Sequence, residues 1–176
     1  MTNKLIDLGY ESIAFLCETN DDWTRGASRR KGFQKAMTDA GLSAHRMIRY
    51  GTPPMAIKDG YFIGKNLKEY YDDIDCVFCV SDLPAFGLLT ALREEGVSVP
   101  GDVGITGFGD FEVSRFSVPT ISTVQVDPVE VGHLAAQLVK DLLSADDKES
   151  KETRIKKRRT VDVSLNMRES TSRRKK

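Results

Sequence analysis

Five residues combine a chemically useful type with a position where a small ligand is expected: Arg29, Ser81, Asp82, Gly109 and Asp110. Arginine offers a planar fork of donors that suits a carboxylate or a pair of neighbouring oxygens. The alternative for Arg29 is a solvated basic face shared with Arg25, Arg30 and Lys31. Asp82 and Asp110 form a candidate carboxylate pair for acid–base or metal-assisted chemistry. Two acids at neighbouring strand ends equally suit hydrogen bonds to hydroxyls, or a helix cap. Ser81 is a candidate cap for the helix that follows it. Trp23 is either a platform for a sugar face or ordinary packing.

Other chemistries have weaker support. His45 falls in a loop and His133 in mid-helix, and no GxSxG elbow accompanies them. The GFGDF stretch (107–111) is not GxGxxG, and no phosphate-binding loop is present, so no nucleotide cofactor is expected. Cys76 and Cys79 make a CxxC inside DCVFCV, which reads as a buried strand. Residues three apart on a strand face opposite ways. The two thiols therefore read as small buried hydrophobes, and no metal site is expected.

The elements that must position these groups alternate between strand and helix. Strands are expected at 12–17, 46–50, 75–80, 102–108, 122–126 and 160–165. Helices are expected from about Ala27 to Gly41, from Asp59 to about Tyr71, from Leu83 to Glu95, and over 128–144, the last capped by Asp127 with Pro128 first. EVSRF (112–116) reads as a short helical turn. This is an α/β chain with a mostly parallel sheet and right-handed crossovers, a three-layer sandwich. Ligands in such sheets bind beyond the carboxyl ends of the strands. That rule selects residues 18–29, Ser81, Asp82, Gly109, Asp110 and Asp127. KLIDLGY (4–10) reads as the last turn of a helix stopped by Gly9, an opening that suggests an upstream portion.

Composition sets outer limits. The net charge is zero, but residues 145–176 hold 12 of the 26 Lys and Arg and only 6 of the 26 Asp and Glu. The basic runs at 156–159 and 173–176 read as a solvated linker and a frayed end, because no aromatics are interleaved for base stacking. No apolar run is long enough to span a membrane, and no signal peptide is evident, so a cytoplasmic protein is expected.

Taken together and in order, LIDLGYESIAFL, RRKGFQKAMTDAGL, DCVFCVSDLPAFGLLTALREEGVSVPGDVGITGFGD, VPTISTVQVD, GHLAAQLVKDLL and VSLNMREST resemble the effector-binding part of LacI/GalR-type transcription regulators. The GFGDFEVSRFSVPTIST wording is most similar to gluconate-responsive repressors of that family. The resemblance implies a periplasmic-binding-protein-like half-domain of type I. It covers the C-terminal subdomain over 1–127 and a helix at 128–144 that returns to an N-terminal subdomain. A charged linker at 145–159 then leads to a last strand and basic tail over 160–176, disordered after Thr171. The helix-turn-helix and the first subdomain have no match here.

The resemblance places effector contacts on Arg29, within R29-R-K-G-F, and on Ser81 with Asp82 beside it. Gly109 stands where the family's GFDD pattern usually has an acid, and Asp110 matches the second acid. Loss of one carboxylate suits an anionic effector such as a sugar acid. Phe86 and Phe116 fall on the family's dimer interface. The helix at 128–144, deprived of its sheet, is expected either to expose its apolar stripe of Val131, Leu134, Ala135, Leu138 and Leu142 or to dock that stripe elsewhere. The resemblance thus implies a small-molecule sugar or sugar-acid effector, a homodimer, and contact with DNA only through a helix-turn-helix outside this chain. No catalysis, metal, cofactor or membrane contact is implied. Two rival readings are a solute-binding module of a sugar transporter and an enzyme on a doubly wound fold.

Overall fold

The computed structural model describes residues 1–20, 25–70, 72–144 and 158–172. Trp23, most of the charged linker and the last basic run lie outside the described residues.

Strand β1 (Ile13–Cys17) is buried at every position, and so is β3 (Cys76–Cys79). Helix α1 (Thr2–Asp7) precedes β1, and between β1 and β3 come α2 (Arg25–Asp39), β2 (Met47–Arg49), α3 (Ile57–Lys65) and α4 (Leu67–Tyr70). After β3 follow α5 (Asp82–Glu94), β4 (Gly104–Phe108), α6 (Glu112–Phe116), β5 (Ser122–Val126), α7 (Pro128–Ser144), β6 (Val163–Asn166) and a 3-10 turn at Glu169–Thr171. The six strands run in the order β2-β1-β3-β4-β5-β6. The four ladders joining β2, β1, β3, β4 and β5 are parallel.

Helices cover both faces, as near-continuous apolar strands require. On one face Phe33 of α2 lies 5.3 Å from Phe15, which meets Phe78 edge-on at the same separation. Phe15, Phe78 and Thr106 are level with one another, so Gly107 belongs to the opposite face. There it meets Asp82 of α5: a Cβ on Gly107 would fall 2.1 Å from an Asp82 oxygen.

Helices α3 and α5 pack backbone to backbone. A Cβ on Gly60 would lie 1.9 Å from the Pro84 carbonyl oxygen, and one on Gly87 the same distance from that of Ile57. This contact sets where α5 begins, and so where Ser81 and Asp82 stand.

The expected helix at 59–71 is two helices. α3 ends at Lys65, and Asn66, with φ −121°, separates it from α4. The side-chain Nδ2 of Asn66 donates to the Phe62 carbonyl at 2.8 Å, a local bond that competes with continuation of the helix. The last strand is shorter than the alternation at 160–165 suggests and is shifted toward the C-terminus. The CxxC cysteines are both fully buried and unbridged. Burial pushes the Cys79 thiol far above its ordinary pKa.

The chain divides into two compact units, Met1–Val124 with Leu165–Lys176, and Gln125–Ser164. In the second, Asp127 caps α7: its Oδ1 accepts from the Val129 amide at 2.8 Å and the Glu130 amide at 3.3 Å. None of the α7 side chains from 128 to 143 is buried. Val131, Leu134, Ala135, Leu138 and Leu142 are all exposed or half-buried.

Candidate functional site

The parallel register gathers the candidate residues along one edge of the sheet. Leu16 pairs with Cys79, and Phe78 with Thr106. Counting onward sets Glu18 level with Ser81, and Ser81 level with Gly109. Neighbouring strands lie about 4.8 Å apart. Glu18, Ser81 and Gly109 therefore form one row just past the carboxyl ends of β1, β3 and β4, the place where open α/β sheets bind ligands.

Arg29 reaches this edge from the first turns of α2. Its Nη1 donates to the Val80 carbonyl at 2.7 Å, and its guanidinium carbon sits 3.6 Å from the centre of the Phe108 ring. The stack orients the fork and leaves the side chain half-buried. Ser81 occupies the cap position of α5, yet its hydroxyl makes no capping bond. Serine is a preferred cap, so a half-buried hydroxyl that does not cap is available to something else.

Asp82 is fully buried and works inside the fold. One carboxylate oxygen accepts from the Thr123 hydroxyl at 2.6 Å, the other from the Phe111 amide at 2.7 Å. It thereby ties the start of α5 to β5 and to the corner after β4. Burial pushes its pKa up. The Thr123 and Phe111 hydrogen bonds pull back against that rise.

That corner is a tight one. Gly109 has φ +129° and Asp110 φ +55°, two successive residues in conformations unfavourable to most side chains. A Cβ at Gly109 would fall 2.7 Å from the Phe111 ring. The backbone itself therefore demands glycine where the family pattern has an acid. This is a physical reason for the substitution independent of effector charge.

Asp110 is buried and is gripped by two arginines. Arg115 donates to Oδ2 at 2.6 Å, and Arg168 donates to Oδ1. Burial alone would raise its pKa, but the two guanidinium groups outweigh burial and hold the carboxyl below its ordinary range. Arg168 goes further, donating to the Ser114 hydroxyl at 3.1 Å and to the Ile121 carbonyl at 2.9 Å. The residues beside it lock the same region. The Ser170 hydroxyl donates to the Ile105 carbonyl at 2.6 Å and accepts from the Ser122 amide at 2.8 Å.

Arg29, Ser81 and Gly109 thus meet at the sheet edge, while Asp82 and Asp110 brace the corner from within. Both carboxylates are committed to internal partners, so they do not form an acid–base pair. Among the described residues, no group of three or more His, Cys, Asp or Glu is placed to hold a metal ion. Phe86 is half-buried against the core, whereas Phe116 is 77% exposed, with Val118 beside it at 68%. Arg115, Thr123 and Arg168 also act here, although none of them directly follows a strand end. Of the three, only Arg168 belongs to a motif, the REST tetrad at 168–171 within the VSLNMREST stretch.

The model of the periplasmic binding protein-like domain matches residues 2–171. A LacI family transcriptional regulator from Silicibacter pomeroyi is 46% identical. It superposes with a TM-score of 0.87 over 99% of this chain and 60% of its own. A LacI family regulator from Enterococcus faecium, solved with bound ribose, is 25% identical with a TM-score of 0.80, over 99% of this chain and 61% of its own. Among curated relatives, the HTH-type transcriptional regulator RegA of Clostridium saccharobutylicum is 32% identical over 148 residues. These are 81% of this chain and 43% of RegA, so the chain spans less than half the length of that relative. The chain belongs to the periplasmic binding protein-like domain family, in the form that serves LacI-type regulators as their effector-binding domain.

Proposed function

We propose that this chain forms the effector-binding part of a ligand-controlled repressor of carbohydrate use, and that its effector is a polyhydroxylated sugar or sugar acid of the gluconate type. The observation that carries the reading is Arg29, oriented by Phe108 and Val80 at the edge where the Ser81 hydroxyl and the Gly109 corner also stand. The ribose bound to the Enterococcus faecium relative supports a sugar-like ligand on this fold. An anionic ligand is compatible with the site because Asp110 is already neutralised by Arg115 and Arg168. Effector binding across the cleft then biases the relative orientation of the two subdomains, and that bias is passed to a DNA-binding head. The apolar stripe of α7 is the surface on which the other subdomain would pack. No turnover is expected from this site.

Titration of the chain with D-gluconate and with neutral sugars tests the ligand class. Tighter binding of gluconate is expected. Binding of neutral sugars alone would remove the sugar-acid part of the reading.

Phe116 and Phe86 belong, on this reading, to a homodimer contact. An aromatic exposed as fully as Phe116, next to an exposed valine, is a surface better covered than solvated. Sedimentation should show concentration-dependent dimers that are lost in Phe116→Asp. A strict monomer at high concentration would contradict the contact.

A further inference from the structure

Glu18 has no role in the fold so far described, and its burial calls for one. It is only 6% exposed, and its Oε2 is enclosed without a hydrogen-bond partner among the described residues. An enclosed carboxylate oxygen without a donor is costly and uncommon in a folded protein. A group of this kind calls for a partner, and a ligand hydroxyl is one that its position can supply.

Its position supplies that ligand. Leu16 pairs with Cys79 and Cys17 with Arg49, so Glu18 stands level with Ser81 on one side and Tyr50 on the other. The ladder persists past β1 on both sides, through the Val80 amide to the Leu16 carbonyl at 2.8 Å and the Tyr50 amide to the Cys17 carbonyl at 3.0 Å. Glu18 is therefore held in the same row as Ser81 and Gly109. It is the one acid of that row, since position 109 is glycine and Asp110 is spent on Arg115 and Arg168.

We infer that Glu18 is a specificity-determining contact of the effector site, accepting hydrogen bonds from hydroxyl groups of a polyhydroxylated ligand. A carboxylate offers about four acceptor positions and no donor when ionised, which matches adjacent hydroxyls and rejects a second anionic group. With Arg29 at β3 and β4 and Glu18 at β1, the site has a cationic end and an acidic end. A sugar acid would then lie with its carboxylate toward Arg29 and its polyol tail toward Glu18. This assignment rests on the effector-site reading proposed above and adds the direction of the ligand to it.

The test uses the whole chain and two variants, Glu18→Gln and Glu18→Leu, by thermal unfolding with and without D-gluconate or D-ribose. Without ligand, Glu18→Leu should melt about 2 °C or more above the wild type, because an unpaired enclosed polar group is removed, and Glu18→Gln should not melt below it. With whichever sugar stabilises the wild type, affinity should fall at least about tenfold in Glu18→Gln and further in Glu18→Leu. A lower melting temperature in both variants would make Glu18 a structural acid, for instance one that favours the amino end of α5, and would overturn the inference. Undiminished sugar affinity in the variants would also overturn it, while leaving the Arg29 site intact. If neither sugar stabilises the wild type, the effector-site reading itself fails, and the inference falls with it.

Discussion

Replacing Arg168 with alanine is expected to destabilise the chain by about 3 kcal/mol, as cutting one partner from a buried ion pair does. The Asp110 side chain is 4% exposed and that of Arg168 18%, so solvent replaces little of what is lost. Arg168 also serves the Ser114 hydroxyl and the Ile121 carbonyl, so its loss leaves a buried acceptor short as well. The effect has a pH signature. The carboxyl of Asp110 titrates lower in the folded state than in the unfolded chain, where about 3.9 is usual. Its contribution is therefore fully present above that value and is lost as the pH falls through the folded value. The gap between wild type and Arg168→Ala in urea unfolding should be widest near neutral pH and narrow below about pH 4. A gap that stays constant with pH would separate Arg168 from Asp110 and refute the pairing.

Gly87→Ala is expected to cost about 3 kcal/mol, near the upper end for overpacking. The new Cβ would sit 1.9 Å from the Ile57 carbonyl oxygen and 2.7 Å from the Tyr61 nitrogen. Both are backbone atoms, so no rotamer change relieves the overlap. Helices α3 and α5 must separate, and α5 carries Ser81 and Asp82 at its start. The variant should therefore lose effector affinity together with stability. The control is Gly32→Ala, on the open side of α2, where a Cβ meets nothing within 4 Å. There alanine should be neutral or slightly stabilising, because it lowers the entropy of the unfolded chain. Equal stability of the two variants would refute the backbone contact.

Much of this architecture was legible in the residues themselves. IAFLC and CVFC have the continuous apolar character of strands covered on both faces, and Asp127-Pro128 announces the start of α7. The placing of Ser81 and Gly109 at one edge, with Arg29 reaching it from α2, follows from one topological rule about strand ends. Three things were not legible. The break at Asn66 depends on a local hydrogen bond that apolar periodicity does not register. The role of Asp82 emerges only when β5 brings Thr123 beside it, from a position forty-one residues along the chain. The bracing of Asp110 by Arg168 spans fifty-eight residues, and the REST tetrad that holds Arg168 does not say which acid it meets. The glycine at 109 shows the opposite limit: the substitution was visible, but its steric cause lay in the positive φ and the Phe111 ring.

On the proposed reading, Arg29 grips an effector at the edge of this sheet. The decisive measurement is isothermal titration of D-gluconate into the wild-type chain and into Arg29→Lys. Lysine keeps the charge but loses the planar fork and its stack on Phe108. Measurable binding by the wild type is expected, with affinity at least about tenfold weaker in the variant and both chains equally folded. Equal affinity in the two, or no binding by the wild type, would contradict it.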